Sequence, residues 1–108
     1  MLNGISDDGK GKVLGVTVLD VKELPAENSV IVLLDYMEMG EGPARNLAKF
    51  REQGALVWIA DLPETGSREC YVSMDLGVDG AVFANTWNGY RVTIDGETGK
   101  VLGQEFTK

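Results

Sequence analysis

The sequence predicts an all-β domain: two antiparallel sheets of three to four strands each, packed face to face as a sandwich. Three observations predict it. Short runs rich in Val, Ile, Thr and Tyr recur along the chain, separated by glycine-bearing turns. The order of runs and turns in the first half is repeated in the second. The chain has 108 residues, so a single core and a single domain, 1–108, is the economical arrangement.

Residues 1–10 read as a polar N-terminus with a turn at Asp8-Gly9. Lys12 to Val21 is rich in Val, Thr and Leu and reads as a strand, with Gly15 as a bulge or close backbone approach. Leu24-Pro25 and Asn28-Ser29 mark a turn. Val30 to Tyr36 begins as an unbroken apolar run and reads as a strand buried on both faces. Met37 to Pro43 is a loop.

Ala44 to Gly54 supports two readings. Pro43 can start a helix, Leu47 and Phe50 are three apart, and Gly54 can end it, so local rules allow a short helix at 44–53. The repeat described below favours a strand. Ala55 to Leu62 reads as a strand centred on Trp58 and ended by Pro63. Tyr71 to Leu76 reads as a strand with Tyr71, Ser73 and Asp75 on one face and Val72, Met74 and Leu76 on the other. Val78 to Gly80 turns, and Ala81 to Trp87 is the next strand. Asn88-Gly89 signals a type I′ hairpin turn. Tyr90 to Ile94 and Lys100 to Phe106 are the last strands, joined by a turn at Asp95 to Gly99.

The repeat halves span about 12–62 and 69–107. Ser29 to Asp35 corresponds to Gly80 to Thr86, Asn46 to Phe50 corresponds to Asn88 to Val92, and Gly54 corresponds to Gly99. The spacing of the two glycines has the length of a four-stranded propeller blade. The pattern resembles the repeat of quinoprotein (PQQ-type) β-propellers, whose blades end in an Asp-x-x-Thr-Gly-Lys-x-x-Trp turn and strand. Asp95, Thr98, Gly99 and Lys100 match that turn, and Trp58 matches the terminal Trp four residues after Gly54. Gly103 stands where the second repeat should carry its Trp, and the first turn lacks the Asp and Thr. The resemblance implies that Asn46 to Phe50 is a strand. It also implies that the Trp covers the open end of the neighbouring sheet. Two blades cannot close a ring, so no axial quinone site is implied. Packing the two sheets on each other, or pairing two copies as a homodimer, would cover the exposed faces and edges.

Composition excludes several functions. Ten basic against 17 acidic residues give a net charge of −7, the wrong sign for neutralising phosphates, so no nucleic-acid partner is expected. There is no His and only one Cys, Cys70, so no disulfide, Cys-based zinc site or His-activated thiol can form within the chain. The longest apolar run is Val30 to Leu34, far too short to span a bilayer, and the first dozen residues have no leader-like stretch. The expectation is a cytoplasmic chain with no membrane contact, no metal and no cofactor. Asp75 and Asp79 could act as paired carboxylates, but surface acids are the simpler reading. Asp75 to Gly80 lacks calcium-loop spacing.

Charge is unevenly placed: residues 1–44 carry net −5 and residues 45–108 net −2. Asp35, Tyr36, Glu38, Met39 and Glu41 lie in one long loop, and this mixture of acid, aromatic and Met is a candidate contact surface for a basic protein partner. Trp87, beside a turn, joins that candidate surface, whereas Trp58 reads as core. No catalytic constellation emerges. The leading expectation is therefore a small acidic, non-enzymatic interaction protein. A narrower alternative is an immunity-type inhibitor that sets Asp35, Glu38 and Glu41 against a basic toxin or nuclease. A third is a small-molecule enzyme or sensor with carboxylates in a cleft between the sheets.

Overall fold

The computed structural model describes residues 12–40, 42–66, 68–77 and 80–107. They form two antiparallel sheets, each a meander in chain order. The first contains β1 (Lys12–Val13), β2 (Val16–Leu24), β3 (Ser29–Leu34), β4 (Leu47–Arg51) and β5 (Leu56–Ile59). The second contains β6 (Tyr71–Leu76), β7 (Val82–Thr86), β8 (Tyr90–Ile94) and β9 (Val101–Phe106). The all-β, two-sheet expectation is met, with one strand more than expected in the first sheet. The extra strand arises because the segment expected as one bulged strand folds back at Leu14 and Gly15. Both residues have positive φ, +55° and +77°, as a two-residue type I′ turn requires. The bulge in β2 lies further on, between Val18 and Asp20.

The short helix allowed at 44–53 does not form; β4 is a strand. Leu47, Ala48, Lys49 and Phe50 are consecutive and all buried. An amphipathic helix buries one stripe, whereas a central strand buries both faces. β4 lies between β3 and β5, with Leu47 in one core and Ala48 and Phe50 in another. All six residues of β3 are buried in the same two-sided way.

The main core lies between the sheets. Ile31, Leu33, Leu47 and Trp58 from the first meet Met74, Val82, Ala84, Val92 and Ile94 from the second. A smaller cluster, Val13, Val30, Val32, Leu34, Ala48 and Phe50, occupies the opposite face of the first sheet. Tyr71 corrects the sequence reading of β6. It was expected to share a face with Ser73 and Asp75, but a register shift between Tyr71 and Ser73 turns it into the main core beside Met74.

The expected type I′ turn at Asn88-Gly89 is also corrected. Gly89 has φ +92°, but Asn88 is not left-handed. Trp87, Asn88 and Gly89 form a three-residue loop closed by Gly89 N–H donating to Thr86 O (3.1 Å), with glycine in the left-handed position. The extra residue takes Trp87 out of the β7–β8 pairing and onto the loop.

Three polar contacts bind the sheets to each other. Asn46, fully buried, donates through Nδ2 to Leu34 O (2.8 Å) and Tyr71 O (2.7 Å) and accepts from Tyr71 N–H (2.8 Å). Trp58 Nε1 donates to Gly96 O (2.9 Å). Lys49, whose side chain is only 4% exposed, donates through its ammonium to Gly96 O (2.8 Å) and Glu27 Oε1 (2.6 Å). The Asp95–Gly99 turn that receives Trp58 is self-bonded as expected: Asp95 accepts from Glu97 N–H and Thr98 from Lys100 N–H.

Candidate functional site

The acidic loop folds on its own carboxylates. Asp35 ends β3 and caps a single 3₁₀ turn, Tyr36–Glu38, by accepting from Met37 N–H (2.9 Å). Glu38 reaches back to β2, where its two oxygens accept from Thr17 N–H (3.0 Å) and Thr17 Oγ1 (2.5 Å). Both acids hold the loop in place. Met39 turns inward against the smaller core. Glu41, the third acid of the candidate surface, and Asp79 lie outside the described residues, as do residues 1–11 and most of the turn expected at Val78 to Gly80.

With the carboxylates so used, Met37 is left 79% exposed and Tyr36 half-buried beside it. Trp87 arrives from the other sheet and is 61% exposed. Its ring meets Tyr36 edge to face, with centroids 5.8 Å apart and planes at 68°. Two of the predicted surface residues, distant in sequence and carried on connections of different sheets, are thus in contact. They border a cleft of about 370 Å³ at one end of the sandwich.

The floor of this cleft is the segment entering β6. Cys70 O accepts from Trp87 N–H (3.0 Å), and Glu69 O accepts from Ala44 N–H (3.0 Å) beside a parallel bridge between Ala44 and Cys70. The Glu69 side chain is buried. Its Oε2 accepts from Thr65 Oγ1 (2.7 Å) and its Oε1 accepts weakly from Asn88 N–H (3.4 Å), so the carboxylate holds the Trp87 loop in place. Arg68 is exposed and also lines the cleft. Sequence reasoning missed Glu69 and Arg68, because nothing in a polar connector marks which of its residues will lie beneath a loop of another strand.

Cys70 is partly buried. Burial first and the Glu69 charge second push its thiol pKa up, against a smaller opposing pull from Arg68. The thiol is held protonated, the opposite of what a nucleophile needs. Among the described residues no three Cys, Asp or Glu side chains group as metal ligands. No helix there is long and apolar enough to cross a membrane.

The fold and site together define a class: a small all-β protein of two facing meanders with an aromatic-rimmed cleft at one end. The chain belongs to the family described as a domain of unknown function, DUF7957, whose model matches residues 12–106. Neither the curated proteins nor the solved structures include a match to it.

Proposed function

We propose that this chain is a non-enzymatic binding protein that engages a protein partner through Tyr36, Met37 and Trp87. One observation carries the reading: Met37 and Trp87 are 79% and 61% exposed, yet they converge with Tyr36 on a single cleft. Trp, Tyr and Met are the side chains that contribute most area and adaptability to protein contacts. They sit on a scaffold of net charge −7, which favours a basic partner through long-range attraction. A reduced Cys70 and a cytoplasmic setting accord with this reading.

The immunity-type alternative needs Asp35 and Glu38 as free phosphate mimics. Both instead spend carboxylate oxygens on the loop's own backbone and on Thr17. The aromatic pair is therefore the better anchor. We retain kinship with quinoprotein propeller blades as a structural proposal only. Its support is that, counted back from the last strand of each meander, the segments paired by the repeat occupy matching positions, β3 with β7 and β4 with β8.

The test is capture from native lysate with the tagged full chain, the Trp87→Ala and Met37→Ser variants, and a loop-neutralised variant carrying Asp35→Asn and Glu38→Gln. The expected result is a partner captured by wild type and lost with Trp87→Ala and Met37→Ser. A partner captured equally by those variants would overturn the reading. Loss confined to the neutralised loop, with its fold intact by circular dichroism, would restore the acidic-inhibitor alternative.

A further inference from the structure

We propose that the cleft bounded by Tyr36, Trp87 and Glu69 receives a cationic side chain of the partner, with an arginine guanidinium as its best fit. The inference rests on the surface reading above and names what the partner inserts there.

Two features at the cleft attract a cation. The first is the aromatic pair. An edge-to-face arrangement leaves each ring with at least one face its neighbour does not cover, and Trp87 is largely in solvent. Indole and phenol faces carry negative quadrupole potential and hold cations, arginine most often. The second is the floor. Glu69 is 3% exposed and lines the cleft, and its bonding partners, Thr65 Oγ1 and Asn88 N–H, are uncharged. Among the described residues Glu69 makes no ion pair, although Arg68 precedes it in the chain and lines the same cleft. A carboxylate withdrawn from water, whose donors among the described residues are neutral, gains strongly from a nearby positive charge. A guanidinium suits both features, because its flat face stacks on an aromatic ring while its N–H edge donates to a carboxylate. An ammonium, a compact and strongly hydrated charge, does the first less well. The net charge of the chain has the sign that draws such a side chain in.

The two tryptophans make the test internally controlled. In ¹H–¹⁵N spectra of the full chain, the indole N–H of Trp58 reports the core, where it donates to Gly96 O, and that of Trp87 reports the cleft. The probes are N-acetyl-arginine N-methylamide and its neutral counterpart, N-acetyl-norleucine N-methylamide. The arginine probe is expected to move the Trp87 indole and the Cys70 and Asn88 amides, saturating on the order of tens of millimolar, and to leave Trp58 still. The norleucine probe is expected to bind about fivefold more weakly or worse. Glu69→Gln and, independently, Tyr36→Leu should each weaken the arginine probe about threefold or more, with little change for norleucine. The dispersion of the remaining spectrum shows that each variant is folded.

Equal response to both probes would make the cleft an apolar pocket and overturn the proposal. No response to either overturns it too. In both cases the capture experiment decides the surface reading separately, since loss of a partner with Trp87→Ala does not depend on what that partner inserts.

Discussion

The indole of Trp58, on the last strand of the first sheet, lies directly against Gly99 in a turn of the second sheet. A Cβ at residue 99 would stand 2.9 Å from indole Cδ2 and 3.0 Å from Cε3 and Cγ. Gly99 also has φ +78°, a conformation that costs any L side chain about 1–2 kcal/mol. Gly99 N–H donates to Asp95 O and Gly99 O accepts from Asp61 N–H, so its backbone has no room to move away. Gly99→Ala is therefore expected to cost about 2–4 kcal/mol of unfolding free energy, strain and overpacking together. Urea denaturation followed by circular dichroism measures it; a loss under about 1 kcal/mol would show that the contact yields.

Asn46 is expected to be the most sensitive buried polar position. Asn46→Ala leaves Tyr71 N–H and the Leu34 and Tyr71 carbonyls without their side-chain partner between the sheets. Burying such groups unbonded costs about 1–3 kcal/mol each at most, so a loss of about 3 kcal/mol is expected. Asn46→Asp should be at least as harmful, because a carboxylate would face two carbonyl oxygens. Denaturation midpoints of the two variants decide this.

Lys49 and Glu27 should respond unequally to mutation. Lys49→Met removes a buried ammonium, leaves Gly96 O with Trp58 Nε1 as donor, and leaves Glu27, 46% exposed, to water. A change within about 1 kcal/mol of wild type is expected. Glu27→Ala strands the ammonium with one carbonyl and is expected to cost about 2 kcal/mol. Equal losses from both variants would contradict this asymmetry.

Tyr71 makes stability fall in alkali. Burial first, then the Asp61 and Glu69 charges, push its phenol pKa well above the usual tyrosine value, while Arg45 opposes them. Its hydroxyl donates to Asp61 O (2.6 Å), which the neutral form alone can do. An acid whose pKa is raised in the folded state contributes its full stability below the unfolded pKa, about 10, and loses it as pH rises above that. Denaturation midpoints between about pH 8 and 11 should fall more steeply for wild type than for Tyr71→Phe, which should itself be about 1 kcal/mol less stable at neutral pH. Parallel profiles would remove Tyr71 as the cause.

Trp87→Ala is expected to leave stability within about 1 kcal/mol of wild type, because the ring is 61% exposed and its described ring contact is with Tyr36 alone. A larger loss would mean that the ring supports the fold and is not held for a partner.

How much of this was legible beforehand depends on whether the information was local. The chain's own pattern determined the class, all-β in two sheets, and the extents of the sixth and eighth strands, Tyr71–Leu76 and Tyr90–Ile94. It also determined the bonded turn at Asp95 to Gly99, because β-branched runs and turn-forming side chains act on near neighbours. It marked Trp58 as core and Asp35, Tyr36, Glu38, Met39 and Trp87 as residues worth locating. Only the tertiary structure decided what those residues do. Leu47–Arg51, within the stretch that could have been a helix, is a strand because two cores enclose it from opposite sides. Asp35 and Glu38 became fasteners because Thr17 and Met37 N–H lay within reach, and Met39 turned inward. Tyr36 met Trp87, with Glu69 beneath, because two sheets carried distant parts of the chain to one end. Backbone preference is settled within a few residues, but burial and convergence belong to pairs of segments far apart in the chain, and only packing brings them together.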